Sequence, residues 1–103
     1  MRLVFLASTG PDLAWFRTYY CTVFTEGAAA AHRHFAKAID NLADSPYIGR
    51  SIGLEDIRKL SVPKTPFAVF YQVVEDRIEI IRIWDQRADP ELLEFHEEAA
   101  VLT

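Results

Sequence analysis

The sequence predicts an α+β domain in which a hairpin of two antiparallel helices covers one face of a sheet. Three observations carry that expectation. The chain opens on a short apolar segment; two apolar stripes at helical spacing follow between residues 11 and 44; and three strand-like runs lie between 57 and 85, separated by short turns. The predicted order is one strand, the two-helix hairpin, three antiparallel strands and a short C-terminal helix, in a single domain spanning residues 1–103.

Residues 2–7 are rich in strand formers. In Ser8-Thr9-Gly10-Pro11-Asp12, Thr9 or Gly10 suits a helix cap, Pro11 suits the first turn, and Asp12 complements the positive end of the helix dipole. Leu13, Phe16, Tyr20, Val23 and Phe24 then form one apolar stripe, and Gly27 marks a break. Ala31, Phe35, Ala38, Ile39 and Leu42 form the second stripe, which ends near Asp44 because Ser45 precedes Pro46. Strands are expected at about 57–62, 67–74 and 77–85, with Glu75-Asp76 as a tight turn. Both faces of the middle strand are largely apolar, which suits a central strand covered by the hairpin. After Asp89-Pro90, residues 91–100 read as an acidic helix.

With 103 residues, 50% of them hydrophobic and 25% charged, the composition is that of an ordinary globular domain. The one cysteine, Cys21, excludes an internal disulfide and fits a reducing compartment. No apolar run reaches the roughly 18 residues that span a bilayer, so a cytoplasmic protein without membrane contact is expected. The net charge of −4 argues against a surface that is basic overall, although acids gather late, at Glu91, Glu94, Glu97 and Glu98.

Arg58, Arg82, Trp84 and Arg87 form the sharpest polar constellation. Strict alternation places Ile78, Ile80, Arg82 and Trp84 on one face of the last strand, and Arg77, Glu79, Ile81 and Ile83 on the other. An arginine beside a tryptophan serves either as an interface anchor or as an internal stack. Trp15, Tyr19, Tyr20 and Phe24 exceed what one stripe needs, so part of them is available to a partner segment. His32, Arg33, His34 and Lys37 read as a solvated helix face, and no metal-ligand spacing is present. Cys21 lacks a base partner and is not a nucleophile.

Leu42, Pro46 and Gly49-Arg50, followed by Ile57-Arg58-Lys59-Leu60, Pro66-Phe67, Tyr71, Ile78, Ile80 and Arg87, keep an ordered spacing that resembles the RelE/ParE superfamily of bacterial type II toxins. The resemblance runs from Arg2 to Pro90 and implies a RelE/ParE-like fold. RelE-like members cut messenger RNA on the ribosome with arginines, lysines and a late tyrosine; ParE-like members bind DNA gyrase. The strand arginine of the nuclease branch corresponds to Ala68, the late tyrosine falls near Leu93, and His96 is the only downstream residue that titrates near neutral pH. The chain therefore looks ParE-like, with Trp84 and Asp85 departing from the pattern of many relatives.

The resemblance implies a toxin that inhibits gyrase by binding, more a binder than an enzyme and with no cofactor. It is neutralised by a ParD-like antitoxin with a ribbon-helix-helix DNA-binding part and a wrapping tail. Arg58, Arg82, Trp84 and Arg87 are the expected target-binding residues; Trp15, Tyr19 and Tyr20 are the expected antitoxin contacts. The alternatives are a RelE-type ribosome-dependent endonuclease using Arg58, Lys59, Arg82 and Arg87 as phosphate clamps, or an inert relative that only binds antitoxin.

Overall fold

The fold is taken from a computed structural model in which residues 1–93 and 95 are described. Strand β1 (Arg2–Phe5) leads into helix α1 (Thr9–Thr18), and helix α2 (Ala28–Asp44) completes the hairpin. Strands β2 (Arg50–Ser51), β3 (Arg58–Ser61), β4 (Phe67–Val74) and β5 (Arg77–Asp85) follow. The sheet order is β1-β5-β4-β3-β2, so β4 is central, as its two apolar faces require. β1 pairs parallel with β5, while the other neighbours are antiparallel. The two-residue β2 was not foreseen in the sequence. Of the expected C-terminal helix, Pro90–Leu92 form a single 3-10 turn and Leu93 is extended; residues 94 and 96–103 lie outside the described residues.

The main core fills the space between the hairpin and the sheet. Phe16, Tyr19 and Tyr20 from the first helical segment and Ala31, Ala38 and Leu42 from α2 pack on Phe67, Val69, Tyr71, Ile78, Ile80 and Ile83. A second cluster on the opposite sheet face joins Leu6, Ile57, Ala68, Phe70 and Ile81, with Trp84, Leu93 and Phe95 against it.

Two local irregularities correct the sequence reading. α1 ends at Thr18, and Tyr19–Val23 form a wider turn closed by the Phe24 N–H on the Tyr19 carbonyl at 2.8 Å. The extra residue in that turn rotates the helical phase, so Val23 and Phe24, expected in the stripe, are 61% and 44% exposed. The second irregularity is a bulge between β4 and β5: Phe70 faces Arg82 but Tyr71 faces Ile80. Ile81 is the additional residue, and it reverses the alternation beyond it. Ile83 thereby joins Ile78 and Ile80 in the main core, while Arg82 and Trp84 face Phe70 and Ala68.

The β4–β5 hairpin turns with Glu75 at φ 56°, where a Cβ costs roughly 1–2 kcal/mol. Its ion pair with Arg77, at 3.7 Å and exposed, contributes little. Glu75→Gly is therefore expected to raise stability, by up to about 1 kcal/mol after the glycine's greater unfolded freedom is subtracted. Urea unfolding checks this; a lower midpoint contradicts it.

Candidate functional site

β1 is too short to pair with the whole of β5, which leaves the edge of Ile81–Asp85 to α1. The Ser8 hydroxyl donates to the Ile81 carbonyl at 2.6 Å, and the Ile83 N–H donates to Asp12 Oδ2 at 2.9 Å. Asp12 does more than complement the dipole, because its carboxylate acts as the missing strand partner. The Arg82 guanidinium meets the same carboxylate through two bonds, Nε to Oδ2 at 2.8 Å and Nη2 to Oδ1 at 2.9 Å. Asp12 is buried, Arg82 is half-buried, and the guanidinium lies 5.1 Å from the centre of the Trp84 ring. Thr9 and Gly10 do not cap the helix through side chains: the Thr9 hydroxyl donates to the Leu6 carbonyl, and Ser8 stands at the cap position.

One turn further along α1, a second carboxylate organises the end of β5. Asp85 accepts from Arg87 Nε at 2.9 Å and Nη2 at 2.7 Å, and from the Arg87 N–H at 3.0 Å. Trp15 Nε1 also donates to it, at 3.0 Å. Arg87 Nη1 donates to the Tyr19 hydroxyl at 3.0 Å, and its guanidinium carbon lies 4.4 Å from the Tyr19 ring centre. The hydrogen bonds from Arg87, then those from Trp15 and the Arg87 backbone, outweigh burial and hold the Asp85 carboxyl down at about 2. The same partnership raises the pKa of Arg87 above its ordinary value.

A carboxyl whose pKa falls on folding adds stability above its unfolded value near 3.8, and that stability is lost as pH drops through about 2. Because the Arg87 side chain is 51% exposed, the contribution is discounted for solvent screening to about 1–2 kcal/mol. Asp85→Asn is expected to lose that amount at pH 7, with the difference from the parent closing between pH 4 and pH 2. Urea titrations across that range check it; a gap independent of pH contradicts it.

The expected site residues do not all converge. Arg82, Trp84, Arg87, Trp15 and Tyr19 gather where α1 meets β5. Arg58 stands in β3, with β4 between, at the register level of Tyr71. There it donates to the Gly49 carbonyl at 2.7 Å and stacks on the exposed Tyr47 ring at 5.1 Å, which fixes the 46–49 loop. Of the expected antitoxin contacts, Trp15 is 42% exposed, whereas Tyr19 and Tyr20 are core residues at 8% and 4%. Sequence reasoning missed Asp12 and Asp85 as the carboxylates that hold Arg82 and Arg87. The spacing Asp85-Gln86-Arg87 was the available signal for one of them, and nothing local marked the other.

Ala68 is fully buried beneath the second core cluster. Burial raises the pKa of the Tyr71 hydroxyl, which accepts from the Gly49 N–H at 2.9 Å and is sealed from solvent. Among the described residues no group of three His, Cys, Asp or Glu is placed to hold a metal ion, and no helix is long and apolar enough to cross a membrane.

Comparison with known proteins gives these features a family. A solved structure described as the chromosomal ParDE TA system from P. aeruginosa aligns with a TM-score of 0.63 at 24% identity, covering 81% of this chain and 92% of that one. At that identity the likeness speaks to the fold. No curated protein matches the sequence. The family model described as the ParE toxin of the type II toxin-antitoxin system, parDE, matches residues 11–90, from the first turn of α1 to the end of the Arg87 cluster. This chain belongs to the ParE toxin family.

Proposed function

We propose that this chain inhibits DNA gyrase by binding it, in the cytoplasm, and that a ParD-like antitoxin with a ribbon-helix-helix DNA-binding part neutralises it. The observation that carries the reading is the state of the two arginines at the α1–β5 junction: each already faces an internal carboxylate. Cutting RNA requires positive charge aimed at a phosphate whose negative charge grows in the transition state. Arg82 and Arg87 supply little net field for that purpose, and Ala68 supplies none.

What this corner presents to solvent is an indole and the outer edge of a stacked guanidinium. Tryptophan and arginine of this kind anchor protein interfaces, since they bury much area with little loss of rotamer freedom once they are pre-positioned. Asp85 and Tyr19 supply that positioning for Arg87, and Asp85 does so for Trp15.

Induced expression in a bacterial host tests the reading. The parent chain should raise the DNA-damage response, and Trp15→Ala and Arg87→Ala should each weaken it at least tenfold at equal protein level, the scale of an interface anchor. Growth arrest with cleaved transcripts and no damage response would count against gyrase and for the nuclease alternative.

A further inference from the structure

Arg58, which β4 separates from the β5 corner, lines a cavity of its own. The cavity holds about 290 Å³, at the small end of the roughly 300–1,000 Å³ usual for ligand sites. Its walls are Tyr47, Ser51, Glu55, Asp56, Arg58 and Val73. The binding reading above makes no use of it.

Three observations give its occupant a chemistry. The first is that the charges stay apart. Both signs line one cavity, yet among the described residues neither Glu55, Asp56 nor Arg58 forms an ion pair. Local geometry holds them open. Arg58 Nη1 donates to the Gly49 carbonyl at 2.7 Å, and its guanidinium lies on the Tyr47 ring. Glu55 and Asp56 ride a turn closed by the Ile57 N–H on the Leu54 carbonyl at 3.1 Å. Arg58 Nε and Nη2 have no partner among the described residues, which leaves the pair of donors that a carboxylate meets in bidentate fashion.

The second observation is the balance of charge. Two carboxylates against one guanidinium leave one negative charge in the cavity, so the matching ligand is a zwitterion with one cation in excess. The third is the uncharged part of the wall. The Ser51 hydroxyl accepts from the Gly53 N–H at 3.2 Å, so its own proton is left to donate. Val73 is half-buried and offers apolar surface to a short methylene chain.

We infer that this cavity binds a free dibasic amino acid, of the arginine or lysine class. The α-carboxylate lies on Arg58 and the Ser51 hydroxyl, the α-ammonium and the side-chain cation meet Glu55 and Asp56, and the methylenes cover Val73. A monocarboxylate, a diamine or a neutral amino acid satisfies only part of this set. The site goes beyond the gyrase reading and stands whether or not the chain acts on gyrase. Because Glu55 and Asp56 are exposed, each contact is worth little in water. A Kd on the order of 1 mM is expected, weakening with added salt.

Amide NMR of the full nitrogen-labelled chain, titrated with L-arginine and L-lysine to about 20 mM, tests the site. Saturable shifts are expected at Ser51, Gly53, Glu55 and Asp56. L-Argininamide, which lacks the carboxylate, should bind about fivefold more weakly without any change to the protein, and so should Nα-acetyl-L-arginine, which lacks the α-ammonium. E55Q and D56N fall at exposed positions, melting curves verify that each is folded, and each is expected to raise Kd about fivefold. No saturable shift in the parent chain, or shifts that argininamide reproduces at equal concentration, overturns the site. Parent-like affinity in folded E55Q and D56N overturns the part given to the acids. Equal binding of Nα-acetyl-L-arginine points to a polypeptide C-terminus and overturns the free amino acid.

Discussion

Asp12→Ala is expected to destabilise the fold by about 3–5 kcal/mol, the cost of taking one partner from a buried ion pair. The carboxylate is 8% exposed and accepts three hydrogen bonds, two from the Arg82 guanidinium and one from the Ile83 N–H. Removing it takes a bidentate carboxylate from a guanidinium whose side chain is 14% exposed, and the acceptor from a buried strand amide. It also loosens α1 from the edge of β5 that β1 does not reach. Asp12→Asn keeps an acceptor for Ile83 but not the charge, so a loss of about 1–3 kcal/mol is expected from it. Chemical denaturation orders the three proteins; an Asp12→Ala midpoint within error of the parent would show that α1 does not close the strand edge.

Gly49→Ala is the second large effect, expected at about 2–4 kcal/mol, because overpacking and a disturbed buried hydrogen bond act together. A methyl group there would lie 2.6 Å from the Tyr71 hydroxyl and 2.9 Å from the Lys59 carbonyl oxygen. Neither neighbour yields easily, since Tyr71 is fully buried and the carbonyl belongs to β3. Tyr71→Phe alone removes the acceptor of the Gly49 N–H and should cost about 1–2 kcal/mol. In the double variant the phenyl ring lacks the oxygen that the methyl meets, so the combined loss should fall short of the two single losses added. A double-mutant cycle measures that coupling. Strict additivity would mean that the loop and β4 do not meet as described.

Much of the fold was legible in the sequence because its driving patterns are local. The Ala31, Ala38 and Leu42 stripe needs only a regular helix, and Phe67–Val74 reads as a central strand because both its faces are apolar. The bounds of β4 and β5 agree with expectation because turn chemistry at Pro66 and Glu75-Asp76 delimits them.

Phase was less legible. A single added residue near Tyr19–Val23, and another at Ile81, each turned side chains to a different face, and neither leaves a strong mark in composition. The site depended on those phases. Regular alternation places Arg82 on the face of Ile80; the bulge sets it opposite Phe70, with its guanidinium on Asp12 some 70 residues away in sequence. Pairings at such separation are set by topology, in this case by a β1 too short to cover β5. Tyr19 and Tyr20 exceed what a single helical stripe buries, but the core extends under the turn that follows the first helix and takes them both.

The most direct test of the central claim is a supercoiling assay with purified chain and DNA gyrase, run beside a ribosome-dependent messenger-RNA cleavage assay. Binding without catalysis predicts that supercoiling falls with added chain, that cleaved DNA–gyrase complex accumulates, that the antitoxin reverses both, and that the RNA stays intact. Unchanged supercoiling together with cut messenger RNA would contradict the account.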